Sequence, residues 1–195
     1  MSFRRHMTFA GALSALALLA ACSSGEEAEK ATGGIDPQTF ADSLFAVMSS
    51  DRAVYTQKVV NRLQNDEKVI KASEHFEDDK ALPLPAQMFR FGSEMVAEKT
   101  DKFTYQLLSL WPVNKQNAPK TDVEKKGLEF ISANPGQNFY ADEELGGKKY
   151  FTAVYADKAV APACVTCHNG HKDSPKTDFK IGDTMGGVVI RIPIT

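Results

Sequence analysis

Residues 137–155, QNFYADEELGGKKYFTAVY, decide the fold class of this chain. The segments 137–142 and 148–155 flank the pair Gly146-Gly147. Paired glycines between two such segments favour the tight turn of a β-hairpin, because glycine adopts positive φ angles without steric cost. Two further stretches predict strands, and both are rich in β-branched or aromatic residues: 103–111 (FTYQLLSLW) and the closing segment 187–194 (GVVIRIPI).

Helical signals precede these strands along the chain. Asp36-Pro37 is typical of an N-cap followed by proline at the first helical position, and apolar residues at helical spacing predict one long helix to about Gln64. Pro85 predicts the start of a second helix, and a capping box at 121–124 predicts a short third helix to about Ser132. The connections are too short for βαβ crossovers. We therefore expect an α+β fold, with an antiparallel sheet, a long N-terminal helix and flanking helices.

The N-terminus has the pattern of an export signal. Arg4 and Arg5 give it a positive start, and the apolar run 10–20 is too short to span a membrane. The sequence 19–22 (LAAC) resembles a bacterial lipobox, in which the cysteine is lipidated. We expect residues 1–21 to be a lipoprotein signal peptide and Cys22 to carry the lipid. An ordinary secretory signal with an incidental cysteine is the alternative.

The segment that follows Cys22 is polar and rich in small residues. Residues 22–34 (CSSGEEAEKATGG) cannot bury enough apolar surface to order themselves, so we expect a flexible tether. This leaves 35–195 as one domain. Together these features predict a protein held by its lipid to the periplasmic side of a bacterial membrane.

Charge and cysteine content narrow the function further. The formal net charge is −2, and removal of Arg4 and Arg5 with the signal peptide would leave −4. No basic stripe is present, so the sequence does not predict a nucleic-acid partner. Of the three cysteines, Cys22 is assigned to the lipobox, and Cys164 and Cys167 remain as a pair.

The pair belongs to the pattern Cys164-Val165-Thr166-Cys167-His168. Two thiols at this spacing reach the two vinyl groups of one haem and form thioethers, and the adjacent histidine supplies the proximal nitrogen of the iron. We therefore expect one covalent haem c bound by Cys164, Cys167 and His168. The motif lies between the hairpin and the closing strand, where we expect a loop.

Three other chemistries use cysteines at this spacing. A thioredoxin-like redox pair normally lies within a βαβ unit, which the sequence does not show. A structural zinc site needs four ligands, and only His171 is near enough in sequence to complete the set. A disulfide between Cys164 and Cys167 leaves His168 without a role.

A second axial ligand of the iron is less well defined by the sequence. His75 is the first candidate and Met88 the second, with Met95 on the same predicted helix face. His171 follows His168 so closely that a short loop would have to carry it to the opposite side of the haem. An open sixth position is the alternative. Other residues that could serve a haem are the methionines Met48 and Met185, and, as partners of the propionates, Lys148, Lys149, Arg90 and Arg191.

Four stretches of the domain, beside the cysteine motif, resemble the haem-c PAS-like domains of exported bacterial cytochromes and histidine-kinase sensor regions. They are 80–90 (KALPLPAQMFR), 105–119 (YQLLSLWPVNKQNAP), 150–168, which runs into the motif, and 181–190 (IGDTMGGVVI). The resemblance implies a PAS-like antiparallel sheet, haem attachment at Cys164, Cys167 and His168, and a role in redox or ligand sensing. Some relatives use a cysteine as the distal ligand, and the predicted mature domain has no spare cysteine.

These observations predict a single-haem protein rather than an enzyme. A tethered haem domain is expected to exchange electrons with a redox partner protein, or to sense redox state, at the cell envelope. A gas-binding sensor module is the alternative and would need an open or displaceable distal position. A peroxidase-like enzyme is a third class, and it would need a distal acid–base group such as His75.

Overall fold

The long N-terminal helix begins at the cap that the sequence predicts. The computed structural model describes Gly34–Ile194, so the predicted signal peptide, lipidated Cys22 and most of the tether lie outside the described residues. Helix α1 spans Pro37–Val54, and the Asp36 side chain accepts a hydrogen bond from the Thr39 amide at 2.9 Å. The helix continues without a break as a π-helical segment, Tyr55–Asp66, which confirms the predicted helix to about Gln64.

The chain forms a small two-stranded sheet between this helix and the second one. It contains two short parallel strands, β1 (Ala72–Ser73) and β2 (Leu82–Pro83), joined by a turn. Two bonds attach it to the π-helical segment: the Tyr55 hydroxyl donates to the Pro83 carbonyl, and the Gln64 side chain accepts from the Ala72 amide.

Four antiparallel strands form the main sheet. They are β3 (Thr104–Leu108), β4 (Phe139–Leu145), β5 (Lys148–Lys158) and β6 (Thr184–Pro193), in the order β3–β6–β5–β4. The predicted hairpin is confirmed as β4–β5, with Gly146 and Gly147 at φ 59° and 75°. β3 is shorter than predicted, because the Ser109 amide leaves the ladder and donates to the Asn117 carbonyl.

Helices cover both faces of the sheet. On one face, α1 and α2 (Pro85–Lys99) pack against alternate strand residues; this core includes Ala41, Phe89, Tyr105, Tyr155 and Ile190. On the other face lies α3 (Asp122–Ala133), which begins with the predicted capping box at Thr121 and Glu124; its core is Leu108, Leu128, Ile131, Val154 and Val189. The predicted α+β class with an antiparallel sheet and flanking helices is confirmed.

No helix within residues 34–194 has both the length and the apolar character needed to cross a bilayer.

Candidate functional site

The cysteine motif lies on a helix, α4 (Pro162–Gly170), and the expectation of a loop is wrong. Ala161 has extended geometry, φ −149° and ψ 153°, as a residue before proline prefers. Pro162 then occupies the first helical turn, where its missing N–H costs nothing. The Ala161-Pro162 pair was the available sequence signal, but the helix has only nine residues and no side-chain cap.

The helix brings the three motif side chains to one side. Residues three and four positions apart share a helical face, so Cys164, Cys167 and His168 are neighbours. Cys164 is half-buried and packs against the cluster of Ala159, Phe179 and Met185, whereas Cys167 is exposed. Both thiols are free.

His168 is held against an aromatic ring. Its imidazole meets Phe179 edge to face, with ring centroids 5.9 Å apart. Burial lowers the pKa of His168, and the nearby Arg52 and His171 add to this, while Asp157 opposes it. A lowered pKa favours the neutral imidazole, which is the form that ligates metals. Its Nδ1 is buried and has no hydrogen-bond partner, a property shared within the described residues only by Nε of Arg52.

The segment after α4 is fixed to the helix by one side chain. The Asn169 amide donates to the Phe179 carbonyl at 2.9 Å, and the Phe179 amide donates back to Asn169 Oδ1 at 3.0 Å. The Phe179 ring is 2% exposed and also meets Trp111 edge to face, at 5.9 Å between centroids. Phe179 thereby supports both the imidazole and the helix above it.

A cleft lies between α4 and the end of the π-helical segment. It has a volume of about 300 Å³ and is lined by Asn61, Gln64, Asn65, Asp66, Pro162, Ala163, Thr166 and Cys167. Small-molecule sites begin at about this size. Cys167 therefore lines a space bordered mainly by polar side chains.

The first candidate for the second ligand, His75, lies in the turn between β1 and β2. Its side chain is 72% exposed, and its Nε2 is 3.6 Å from the carboxylate of Glu74. The other oxygen of Glu74 is 3.5 Å from Nε2 of His171, just beyond the end of α4. The fold thus brings His75 and His171 to one carboxylate beside the motif, a juxtaposition that sequence spacing did not indicate. The ligand assignment itself stays a prediction.

The candidate methionines occupy different environments. Met88 is half-buried on α2, Met95 is 55% exposed, and Met48 packs into the core beneath α1. Met185 is 5% exposed and belongs to the cluster against which Cys164 packs. Of these four methionines, Met185 is the one that shares a hydrophobic cluster with a residue of the motif.

The basic residues suggested by the sequence as propionate partners either pair with carboxylates of the protein or are exposed. Arg191 is half-buried on β6 and pairs with Glu124 at 2.8 Å and Glu143 at 2.7 Å. Arg90 is exposed and lies 3.6 Å from Glu94 on the same helix. Lys148 and Lys149 are exposed at the start of β5. Sequence reasoning missed Arg52, which pairs with Asp157 near His168, because the two residues are 105 positions apart.

The geometry also bears on the redox-pair alternative. α4 does follow a strand, but β5 and β6 on either side of it are antiparallel, so no βαβ unit is present there. Burial around the sulfur and the negative charge of Glu74 raise the pKa of the Cys167 thiol. Reactive cysteines of redox pairs have lowered pKa values. Within residues 34–194, no group of three or more His, Cys, Asp or Glu side chains is arranged to hold a metal ion.

Comparison with known proteins places the chain in a family. No curated protein matches it. The crystal structure of the cyanobacterial heme-protein Tll0287 is similar in fold, with a TM-score of 0.54 and 14% sequence identity. The alignment covers 83% of this chain and 98% of that one. The sequence model of the Tll0287-like family matches residues 36–193, which is nearly the whole folded domain, and the chain therefore belongs to the Tll0287-like family.

Proposed function

We propose that this chain is a c-type haem protein in which Cys164 and Cys167 hold the haem and His168 ligates its iron. The observation that carries the proposal is the common face of α4, where two free thiols lie beside an imidazole with an unpartnered buried nitrogen. The similar fold of a cyanobacterial haem protein supports it.

The donor set fits this cofactor. Each thiol would add its S–H across one haem vinyl group to give a thioether, which needs no oxidant and has no leaving group. A bound histidine usually donates its second ring nitrogen to a carbonyl, a carboxylate or water, which fixes the ring. In His168 the edge-to-face contact with Phe179 orients the ring, and burial lowers its pKa, which favours the neutral form. Bound haem would supply a one-electron redox couple.

We further propose that the protein transfers electrons or senses redox state at the cell envelope. The lipobox-like sequence that ends at Cys22 supports export and a lipid anchor on the periplasmic side, and it implies contact with a redox partner protein near that membrane. The finer assignment as a haem-c PAS-like domain belongs to the same proposal, and it rests on the four sequence stretches and the cysteine motif.

Covalent haem staining tests the attachment. The full chain would be exported in a host with haem-attachment machinery, denatured, and stained for peroxidase activity of bound haem. We expect a stained band for the wild type and for Thr166→Ala, a control within the motif. Cys164→Ala/Cys167→Ala should lose the stain, and a stained double variant would refute the proposal.

The optical spectrum tests the other side of the iron. We expect His75→Ala to change the axial-ligand spectrum more than Met88→Ala does. An unchanged spectrum in both variants would refute this ligand assignment. A reduced protein that is indifferent to carbon monoxide supports electron transfer, because its sixth position is occupied. Rapid carbon monoxide binding would instead favour gas sensing or catalysis.

A further inference from the structure

An ion pair joins α1 to the end of β5 close to the cysteine motif. Arg52 Nη1 donates to Asp157 Oδ1, and the two side chains are only 18% and 13% exposed. Replacing the hydration of two such charges is costly, so a half-buried pair of this kind needs further partners to be favourable. Asp157 supplies one partner to the guanidinium, and Arg52 also stacks over Phe89 at 6.0 Å.

The guanidinium is not fully satisfied. Its Nε is buried and has no hydrogen-bond partner among the described residues. A buried donor left in this state costs about 1–3 kcal/mol, so a native structure normally supplies an acceptor. Arg52 also lines the space beside this ion pair, so a ligand in that space would meet the guanidinium.

That space is a cavity of about 190 Å³. Apolar side chains make up most of its lining, and these are Phe45, Ala53, Phe89, Ala156, Val160 and Val188. Arg52, Asp157 and Lys158 supply its charges. Lys158 is exposed and makes no ion pair with any residue of 34–194, so two cations face one carboxylate. An amphiphilic ligand with a carboxylate would match this lining in both respects.

The cavity lining and the cysteine motif are close in sequence. Lys158 ends β5, and α4 begins at Pro162 after three connecting residues, one of which, Val160, lines the cavity. The charges of Arg52 and Asp157 also act on the His168 imidazole. The two buried unpartnered nitrogens of the described chain, Arg52 Nε and His168 Nδ1, therefore lie in one region.

We propose that this cavity receives a haem propionate, with the guanidinium of Arg52 donating to its carboxylate and Asp157 holding the guanidinium in place. The inference rests on the proposed function, since it assigns a further part of the same haem site. It replaces Arg191 and Arg90 as propionate partners, because Arg191 is occupied by two carboxylates and Arg90 lies exposed on α2.

The reduction potential of the attached haem tests this role. Oxidised iron carries one more positive charge than reduced iron, so removing a nearby cation stabilises the oxidised form. Arg52→Gln should shift the oxidation equilibrium by at least threefold, which is about 28 mV at roughly 59 mV per tenfold change. Asp157→Asn should shift it in the opposite direction. Arg90→Gln removes one positive charge at an exposed site, and its reduction potential should equal that of the wild type within error.

Resonance Raman spectra of the same holoproteins give a second readout. The propionate bending band should shift in Arg52→Gln and Arg52→Lys, because both lose the guanidinium, and should not shift in Arg90→Gln. The reduction potential of Arg52→Lys should stay close to that of the wild type, because lysine keeps the positive charge. Arg52→Lys also serves as the test if Arg52→Gln does not fold.

Two outcomes would overturn the inference, and they are distinguishable. If covalent haem is present but Arg52→Gln and Arg52→Lys match the wild type in potential and in the propionate band, the haem contacts other residues and the propionate assignment is wrong. If the wild-type chain carries no covalent haem, the proposed function fails and this inference fails with it.

Discussion

The ring of Phe179 stands perpendicular to the imidazole of His168, with an interplanar angle of 89° and centroids 5.9 Å apart. The same ring meets Trp111 at 76°. One buried phenyl group therefore connects the expected iron ligand to the loop after β3. His168 and Phe179 are eleven positions apart in sequence, so their contact depends on how the segment after α4 folds back onto the helix.

Replacing Phe179 with leucine removes both edge-to-face contacts while keeping an apolar side chain. Each such aromatic contact contributes about 0.5–1.5 kcal/mol beyond burial, so we expect Phe179→Leu to lower the free energy of unfolding by about 1–3 kcal/mol. The axial-ligand spectrum of the haem-loaded protein should also change, because the imidazole loses its support. Phe130→Leu, which loses a contact with Phe139 under α3, should lower stability but leave the spectrum unchanged. An unaltered spectrum in Phe179→Leu would show that the ring does not orient His168.

Asn169 fixes Phe179 through two reciprocal hydrogen bonds, so its loss should loosen the whole segment. We expect Asn169→Ala to lower the free energy of unfolding by about 1–3 kcal/mol, the sum of two net hydrogen bonds. Asn169→Asp keeps the acceptor for the Phe179 amide but places a carboxylate oxygen against the Phe179 carbonyl. Urea denaturation should therefore rank aspartate no better than alanine. A wild-type midpoint for Asn169→Asp would mean that the hydrogen bond from the side-chain amide to the Phe179 carbonyl does not contribute to stability.

The sheet and the long helices could be predicted from sequence because their signals are local. Gly146-Gly147 fixes the hairpin, and Asp36, Pro85 and Thr121 mark helix starts that the structure confirms. α4 was missed since its nine residues present no regular apolar face and no capping side chain. The motif residues could be proposed from sequence, because the chemistry they suggest depends on adjacent positions.

The surroundings of the motif could not be predicted, because they depend on contacts between distant segments. Arg52 and Asp157 are separated by 105 positions, and each one alone resembles an ordinary surface charge. Arg191 is the opposite case. It suggested a propionate partner from sequence, but the strand register directs it to Glu124 and Glu143. Only tertiary packing distinguishes the two arginines.

The backbone at Gly186 leaves no room for a side chain. A Cβ atom there would lie 2.4 Å from the Leu108 carbonyl oxygen, which is backbone and cannot rotate away. We expect Gly186→Ala to lower the free energy of unfolding by about 3 kcal/mol, at the upper end of overpacking costs. Gly170, the last residue of α4, has open space around it, so Gly170→Ala should be neutral or stabilising. Thermal unfolding of both variants would check this, and equal midpoints would contradict the predicted clash.

Arg191 should be required for folding stability, not for haem chemistry. It lies between two buried carboxylates, Glu124 and Glu143, whose side chains are 2% and 5% exposed. Removing the cation leaves both carboxylates uncompensated, so we expect Arg191→Met to cost about 3–5 kcal/mol. Adding Glu124→Gln should recover part of that loss in chemical denaturation. The haem spectrum of any folded fraction should be unchanged, and a shifted spectrum would place Arg191 in the haem site after all.

The same cluster predicts how stability depends on pH. Burial raises the pKa of Glu143, but hydrogen bonds from Thr152 and Arg191 lower it by more. In the folded protein the pKa of Glu143 therefore lies below the ordinary value of 4.5. A carboxyl group with a lowered folded pKa binds more protons when unfolded, so its contribution is complete above the unfolded pKa and is lost as the pH falls through the folded one. Unfolding free energies measured from neutral pH down through this acid range should therefore decline for the wild type. Glu143→Gln should be less stable at neutral pH and should decline less steeply, since it has no proton to gain. Parallel curves for the two proteins would mean that Glu143 is protonated equally in the folded and unfolded chains, and that its bonds to Thr152 and Arg191 do not favour the charged form.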